Sequence, residues 1–184
     1  MNKKHLPVLL VAIGIFVIDQ ITKYMIKTSM SLHQSFSVIG DFFRITYVEN
    51  TGMAFGISIG DNILFTVFAA VASIAILIYF FYIKGEHLFA RLAMIIIFGG
   101  ALGNLTDRII RGSVVDFLDC EFFDIYLPQF DFLFVHFPGY SMTRWPVFNV
   151  ADIAVSVGMI MLMIFIIFDK EPETQTEEMV VENN

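Results

Sequence analysis

Charge and cysteine are what this chain lacks. Only 16% of its 184 residues are Asp, Glu, Lys or Arg, against about 25% in an ordinary soluble domain. That scarcity argues against a water-exposed globule. With 57% hydrophobic residues and a mean hydropathy of +0.75, it also argues against intrinsic disorder, which needs low hydrophobicity. Basic residues are outnumbered, 11 to 18, so no cationic surface for nucleic acid is expected. The single cysteine, Cys120, can close no internal disulfide and forms no CxxC metal or redox motif. None of the four histidines (His5, His33, His87, His136) stands at a recognisable spacing from a Ser or Cys nucleophile. No HExxH or paired Cys/His set is present, so no metal or other cofactor is expected.

What the chain has is long apolar runs. They lie at about 6–26, 63–83, 88–106 and 150–168. A membrane-spanning helix needs about 20 predominantly apolar residues, and helices are the default because lipid cannot satisfy free backbone groups. The fold class expected is an integral membrane protein, mainly α, with four transmembrane helices. The first run follows Lys3 and Lys4 like a secretory signal, but Asp19-Gln20-Ile21-Thr22-Lys23 follows it instead of a small-residue cleavage site, so it reads as a retained span. The tail 169–184 is acidic, carries most of the net charge of −7, and reads as a solvated, disordered extension. Lys3, Lys4, Lys84, Arg91 and Lys170 cluster on one side, which predicts both termini in the cytoplasm. The segments 29–61 and 108–148 then lie outside. In the first, the β-branched and aromatic stretch 43–48, preceded by the turn signal Gly40-Asp41, predicts a small outer-surface β-element. In the second, residues 119–145 exceed a typical loop and are rich in aromatics and proline, which predicts docking on the membrane or the protein.

Ionisable residues inside spans are costly and mark functional sites by default. Asp19 lies about 20 Å along the first helix, in the outer half of the bilayer. The third span ends in Asn104 and Asp107-Arg108, and the fourth begins with Asn149 and Asp152. Three polar clusters therefore share one depth. Asn104/Asp107 and Asn149/Asp152 are three apart, so each pair shares a helical face, where the amide can orient the carboxylate. Asp116, between apolar neighbours just after the third span, would have its pKa raised by desolvation. Two carboxylates brought together share a proton; one can act as general base on water while the other polarises a carbonyl. On residues alone, Asp107 and Asp116 are equal candidates to partner Asp152. Asp107-Arg108 can equally be an ion pair at a helix end, and Asp19/Lys23 an i,i+4 bridge. Gly99, Gly100 and Gly103 read as close helix packing, and Gly52 and Gly56 as backbone turns. A proton-coupled transporter would also use membrane carboxylates, but the inner halves of the spans are almost wholly apolar. A scaffold packed through glycines leaves the Asn/Asp pairs unexplained.

In order along the chain, Asp19-Gln20-Ile21-Thr22-Lys23, then Asn50-Thr51-Gly52-Met53-Ala54-Phe55-Gly56, then Gly99 to Arg108, then Val114-Val115-Asp116-Phe117 and Phe148-Asn149-Val150-Ala151-Asp152 closely resemble the motifs of lipoprotein signal peptidase (signal peptidase II), a family of bacterial inner-membrane aspartic peptidases. The resemblance implies an intramembrane endopeptidase that works without a metal. Its substrate would be a prolipoprotein whose cysteine already carries a diacylglyceryl group, cut just before that cysteine. It implies Asp116 and Asp152 as the catalytic pair, and substrate-binding or polar-network roles for Asp19, Lys23, Asn50, Gly52, Asn104, Asp107, Arg108 and Asn149. The partners implied are the lipidated signal peptide and membrane lipid, with one chain sufficient for activity and the site near the outer face of the bacterial cytoplasmic membrane. The stretch between Asp116 and Asp152 is longer than is typical of the family, which predicts a larger outer lid or platform within 120–145.

Overall fold

The computed structural model describes residues 6–52, 62–82 and 87–168. The glycine motif beyond Gly52, most of the turn 84–87, the N-terminal lysines and the acidic tail lie outside the described residues. The long apolar runs form helices because a helix satisfies its own backbone in lipid. They are α1 (Leu6–Ser29), α2 (Asn62–Tyr82), α3 (Leu88–Arg111) and α4 (Val150–Phe168). Of these, α1, α3 and α4 are long and apolar enough to cross a membrane, while α2 contributes the shorter apolar stretch Thr66–Tyr82. Helix α3 is the hub, packed against α4, α1 and α2. Both α1 and α3 run several residues past their expected ends at 26 and 106. Their final turns carry Lys27, Arg108 and Arg111, cations that suit a helix C-terminus. Gly112 then ends α3 in the left-handed conformation (φ 75°), its N–H donating to the Arg108 carbonyl at 3.1 Å.

Packing between the helices inverts the pattern of a soluble bundle. Large side chains such as Ile13, Val17, Phe68, Ile78, Ile160 and Ile167 face outward, and small ones fill the interfaces. Lipid tails are as apolar as leucine, so only close backbone approach favours association. A Cβ at Gly99 would lie 3.0 Å from Ala12 Cα, one at Gly100 would collide with the Ala151 carbonyl, and one at Gly103 with the Asp19 carboxylate. At Gly158 a Cβ would lie 2.6 Å from Ile97 Cγ1 and 2.8 Å from the Ala93 carbonyl. Away from the polar end, Val8, Ala12, Phe80 and Ile95 form an apolar core among α1, α2 and α3.

At the other end sits an antiparallel sheet ordered β1 (Ser35–Ile39), β2 (Phe43–Asn50), β3 (Val114–Cys120). The expected turn at Gly40-Asp41 joins β1 to β2. The third strand comes from the chain after α3, so the two outer segments pair with each other. Register runs Ile45↔Leu118 and then Val48↔Asp116. One extra residue in β2 makes a bulge beside Asp116, the kind of feature that re-aims a side chain next to a site. On its other edge β3 bridges Phe148: the N–H groups of Phe117 and Leu118 donate to the Phe148 carbonyl at 3.0 and 2.7 Å. Glu49 fastens the sheet to the helices, accepting from Lys27 Nζ at 2.9 Å, Tyr47 Oη at 2.6 Å and Ser113 Oγ at 3.1 Å. The Tyr47 hydroxyl contributes most to holding the Glu49 carboxyl down to about 2. Beyond β3, the short strands β4 (Ile125–Leu127) and β7 (Tyr140–Met142) pair around an inner hairpin of β5 (Phe130–Phe132) and β6 (Val135–Phe137).

If close backbone contact holds α3 to α4, Gly158→Ala will cost about 1–3 kcal/mol through overpacking. Nothing lies within 4 Å of a Cβ at Gly14, so Gly14→Ala will be neutral or stabilise by up to about 1 kcal/mol through helix propensity. Thermal unfolding of both variants in detergent checks the pair, and a Gly158→Ala protein as stable as the parent contradicts the packing account.

Candidate active site

The polar residues of α1, α3, β3 and α4 meet at one place, below the sheet. Lys23, with no exposed side-chain surface, lies at its centre. Its ammonium bonds Asp19 Oδ2 at 2.8 Å, Asn104 Oδ1 at 2.8 Å and Asp107 Oδ2 at 3.1 Å, which uses all three donors. Asp19 and Lys23 are thus the expected i,i+4 pair, and they also join α1 to α3. Asp19 Oδ1 accepts the Ala151 N–H at 3.0 Å, placing a carboxylate at the N-terminus of α4, where the helix dipole favours it. The Gln20 amide donates to Asp19, to the Gly103 carbonyl and to Asp107.

Asp107 is fully buried and surrounded by donors. Besides Lys23 and Gln20 it accepts from the Arg111 guanidinium and from the Val115 N–H at 3.3 Å. These bonds tie the start of β3 to the end of α3. Asp107 does not border the large cavity described below, whereas Asp116 and Asp152 both do. The predicted pairing of Asn104 with Asp107 is not what forms. Asn104 Nδ2 reaches across to α4 and donates to Asp152 Oδ1 at 2.8 Å.

Asn149 and Asp152 form a reciprocal helix cap. Asn149 Oδ1 accepts the Asp152 N–H, and Asp152 Oδ2 accepts the Asn149 N–H, both at 3.0 Å. This is the capping-box arrangement, a different use of the three-residue spacing from the shared face predicted for it. The cap oxygen faces the helix, which leaves the amide nitrogen free to donate elsewhere. It does so to Asp116 Oδ1 at 2.6 Å and Asn104 Oδ1 at 3.1 Å. Asn50, at the end of β2, donates to Asp116 Oδ2 at 3.1 Å, and its own oxygen accepts the Gly52 N–H at 3.0 Å. Burial raises the Asp116 carboxyl to about 7; the neighbouring Asp152 charge adds to the rise, and the Asn50 and Asn149 amides oppose it.

Asp116, Asp152, Asn50, Gly52, Asn104 and Arg108 all line one open cavity of about 680 Å³, a volume suited to a ligand of drug or peptide-segment size. Its remaining wall is largely apolar, with Val48, Val114, Trp145, Pro146, Phe148 and Val155. Arg108 supplies the cavity's positive charge, donating only a long 3.4 Å bond to the Asn104 carbonyl. Among the described residues there is no cluster of three or more His, Cys, Asp or Glu that could hold a metal. Two supporting residues escaped the sequence reading. Arg111 stands four residues from Asp107, a spacing that could have flagged it. Glu49 gave no local signal, because its partners come from three separate segments.

A model of the family described as signal peptidase (SPase) II matches residues 11–168. The lipoprotein signal peptidase of Moorella thermoacetica is 38% identical over 157 residues, covering 85% of this chain and 90% of that protein. The Staphylococcus aureus lipoprotein signal peptidase is 36% identical over 180 residues, covering 96% of this chain and 99% of its own. A solved bacterial membrane enzyme superposes with a TM-score of 0.69 at 32% identity, over 93% of each chain. A match of this extent, carried by a membrane-helix core with a small sheet at one end, has one reading: the chain belongs to the signal peptidase II family, and is a hydrolase of bacterial type.

Proposed function

We propose that this protein removes the signal peptide from prolipoproteins bearing a diacylglyceryl cysteine, cutting before that cysteine with water activated by Asp116 and Asp152. The observation that carries the mechanism is the pair of carboxylates bordering one cavity and tied together through Asn149, which bonds both. Each carboxylate is hydrogen-bonded by amides, which orient it without supplying a full positive charge. One proton shared between them leaves a single negative charge facing Arg108, a balanced state for a half-buried site. The ionised member accepts a proton from water as the oxygen attacks the scissile carbonyl carbon. The protonated member donates to the carbonyl oxygen. The tetrahedral intermediate then collapses: the aspartate that took the water's proton gives it to the leaving amine of the lipidated cysteine as the C–N bond breaks, and the other aspartate takes its proton back from a hydroxyl of the gem-diol. Asp19, Lys23 and Asp107 hold the frame; Asn50, Asn104 and Asn149 aim the pair; Gly52 and Arg108 border the substrate's path.

The same reading makes α2 a fourth span. It places the transmembrane peptidase domain at 1–168, followed by a cytoplasmic tail, with both termini in the cytoplasm and the site near the outer face of the bacterial inner membrane. A lipidated, apolar signal segment can then approach sideways while its acyl chains stay in lipid. Every proposed site residue belongs to one chain, which supports action as a monomer.

Asp116→Asn and Asp152→Asn keep the side-chain shape and remove the proton-carrying oxygen. Each should lower turnover of a diacylglyceryl-modified prolipoprotein by about a thousandfold or more, with the thermal transition retained. A folded variant within about tenfold of the parent rejects the pair.

The pH profile carries a second test. Asp116 is protonated below about 7, so turnover should fall as pH rises through that value and the shared proton is lost. Asn50 favours the charged form of Asp116, so Asn50→Ala should move this alkaline limb upward while lowering turnover. An unmoved or downward-shifted limb contradicts the assignment of the titrating group to Asp116.

A further inference from the structure

The proposed chemistry leaves the ribbon between β3 and α4 without a task. Its base is clamped. Arg144 donates to Asp119 Oδ1 at 2.8 Å, to Glu121 Oε2 at 2.6 Å and to the Asp41 carbonyl at 2.9 Å, and the Trp145 N–H donates to the Cys120 carbonyl at 3.1 Å. From there β4 and β7 pair, and the chain between them forms the separate hairpin of β5 and β6 with Leu133 and Phe134 at its tip. A hairpin of two three-residue strands is marginal in water on its own.

Its side chains are the wrong kind for water. Phe134 is 100% exposed, Leu133 80% and Tyr126 71%. Phe130 and Phe137 stack across the strands at 4.6 Å, with over two-fifths of each ring exposed. Leu133 has φ 55° at the first turn position, where a hairpin favours glycine. A large apolar side chain thus occupies a position whose backbone favours having none. Asp131 and His136 hydrogen-bond each other at 2.6 Å across the strands, so the hairpin's carboxylate has a partner of its own. No Lys or Arg occurs from Glu121 to Thr143.

We propose that the tip of the β5–β6 hairpin inserts into the outer leaflet of the same bilayer that holds the spanning helices, as a second and non-spanning membrane attachment. Exposed Phe122, Phe123, Tyr126, Leu127 and Phe130 lead along the chain from the foot of the ribbon, where Phe122 borders α4, to the tip, which supports lipid as the occupant. A groove lined by Phe122, Trp145, Phe148, Ile153, Val157 and Ile160 runs from the foot of the ribbon onto the helix. Insertion of aromatic and branched side chains at headgroup depth is the usual role of such residues at an interface. The lack of cations makes it an apolar insertion, not an attraction to anionic lipid. The attachment would hold Phe122 and Trp145, at the foot of the ribbon, against the membrane beside Asp152.

The test uses the full chain in phosphatidylcholine vesicles without substrate. The fluorophore is an environment-sensitive one on Phe134→Cys, in a Cys120→Ala background. The Phe134 side chain is wholly exposed, so the label displaces no protein contact. Lipids carrying nitroxides near the headgroup should quench the label several-fold more than aqueous iodide does, and added phosphatidylglycerol or salt should leave the ratio unchanged. Quenching by iodide alone overturns the proposal. So does protection from both quenchers, which would mean burial against a second copy, and so does lipid quenching that depends on phosphatidylglycerol. A tip that leaves water only when prolipoprotein is added would make the partner a polypeptide and overturn it as well. Cleavage measured on the same vesicles stands apart: an inactive protein with a lipid-quenched tip counts against the catalytic reading alone.

Discussion

One buried ammonium orders the polar end of this protein. Lys23 can only donate, so every atom facing it must accept. That condition turns the Asn104 amide oxygen toward α1, and the Asn104 nitrogen is left pointing at Asp152. The same oxygen accepts from Asn149, whose nitrogen also reaches Asp116. The orientation of two neutral amides, and through them of two carboxylates, therefore follows from one cation two helices away. Taking such a charge out of water costs several kcal/mol, which excellent geometry must offset, and removing one partner of a buried pair commonly costs about 3–5 kcal/mol. Two carboxylates, one amide and the Arg111 guanidinium beside Asp107 make the local charge balance here.

The four acidic side chains at this end fall into two kinds. Asp19 and Asp107 are bonded by Lys23 and by backbone N–H groups, and each fastens the start of another element: Asp19 the first turn of α4, Asp107 the first residues of β3. Asp116 and Asp152 are bonded by amides and by the cap N–H, and they face the cavity. Burial, with the neighbouring Asp152 charge adding to it, raises the Asp116 carboxyl to about 7, so this carboxylate can take up a proton near neutral pH. The acids that fasten other elements and the acids that face the cavity thus differ in the identity of their donors.

Much of this was legible in the sequence, because membrane helices leave long uncharged runs and a polar residue within them is conspicuous. The expected common depth of Asp19, Asn104, Asp107, Asn149 and Asp152 followed from rise per residue for Asp19 and from the span ends and their direction for the others. The proposed choice of Asp116 over Asp107 did not, since both lie near the end of the third span and only tertiary contacts reveal that Asp107 is bonded by Lys23, Gln20, Arg111 and the Val115 N–H. Strand β3 gave no alternation because it is buried on both faces from Val114 to Phe117. The Asn149–Asp152 spacing fits a helix face and a capping box equally well; the preceding bridge at Phe148 decides for the cap, since Asn149 is where the chain leaves the sheet. The strands of the outer ribbon are three residues each, too short for any period to register.

The proposed active pair is assembled from two kinds of structure. Asp152 belongs to the first turn of an apolar helix long enough to span a membrane, and Asp116 to a strand of the sheet at the helix ends. No local interaction brings them together: they lie 36 positions apart in the chain, and the stretch between them includes the whole outer ribbon. What joins them is the docking of the sheet on the helix ends, through the Phe148 bridge on one edge of β3, the bulged β2 on the other, and Glu49 bonded to both α1 and the α3–β3 junction. The bulge matters for a geometric reason. Strand side chains alternate faces, so one extra residue in β2 changes which of its side chains face the cavity beyond that point, and Asn50 lies beyond it. The sheet therefore acts as the jig that sets one carboxylate against another already fixed by the membrane helices, and the glycine-tight contacts of α3 keep the second from drifting away from the first.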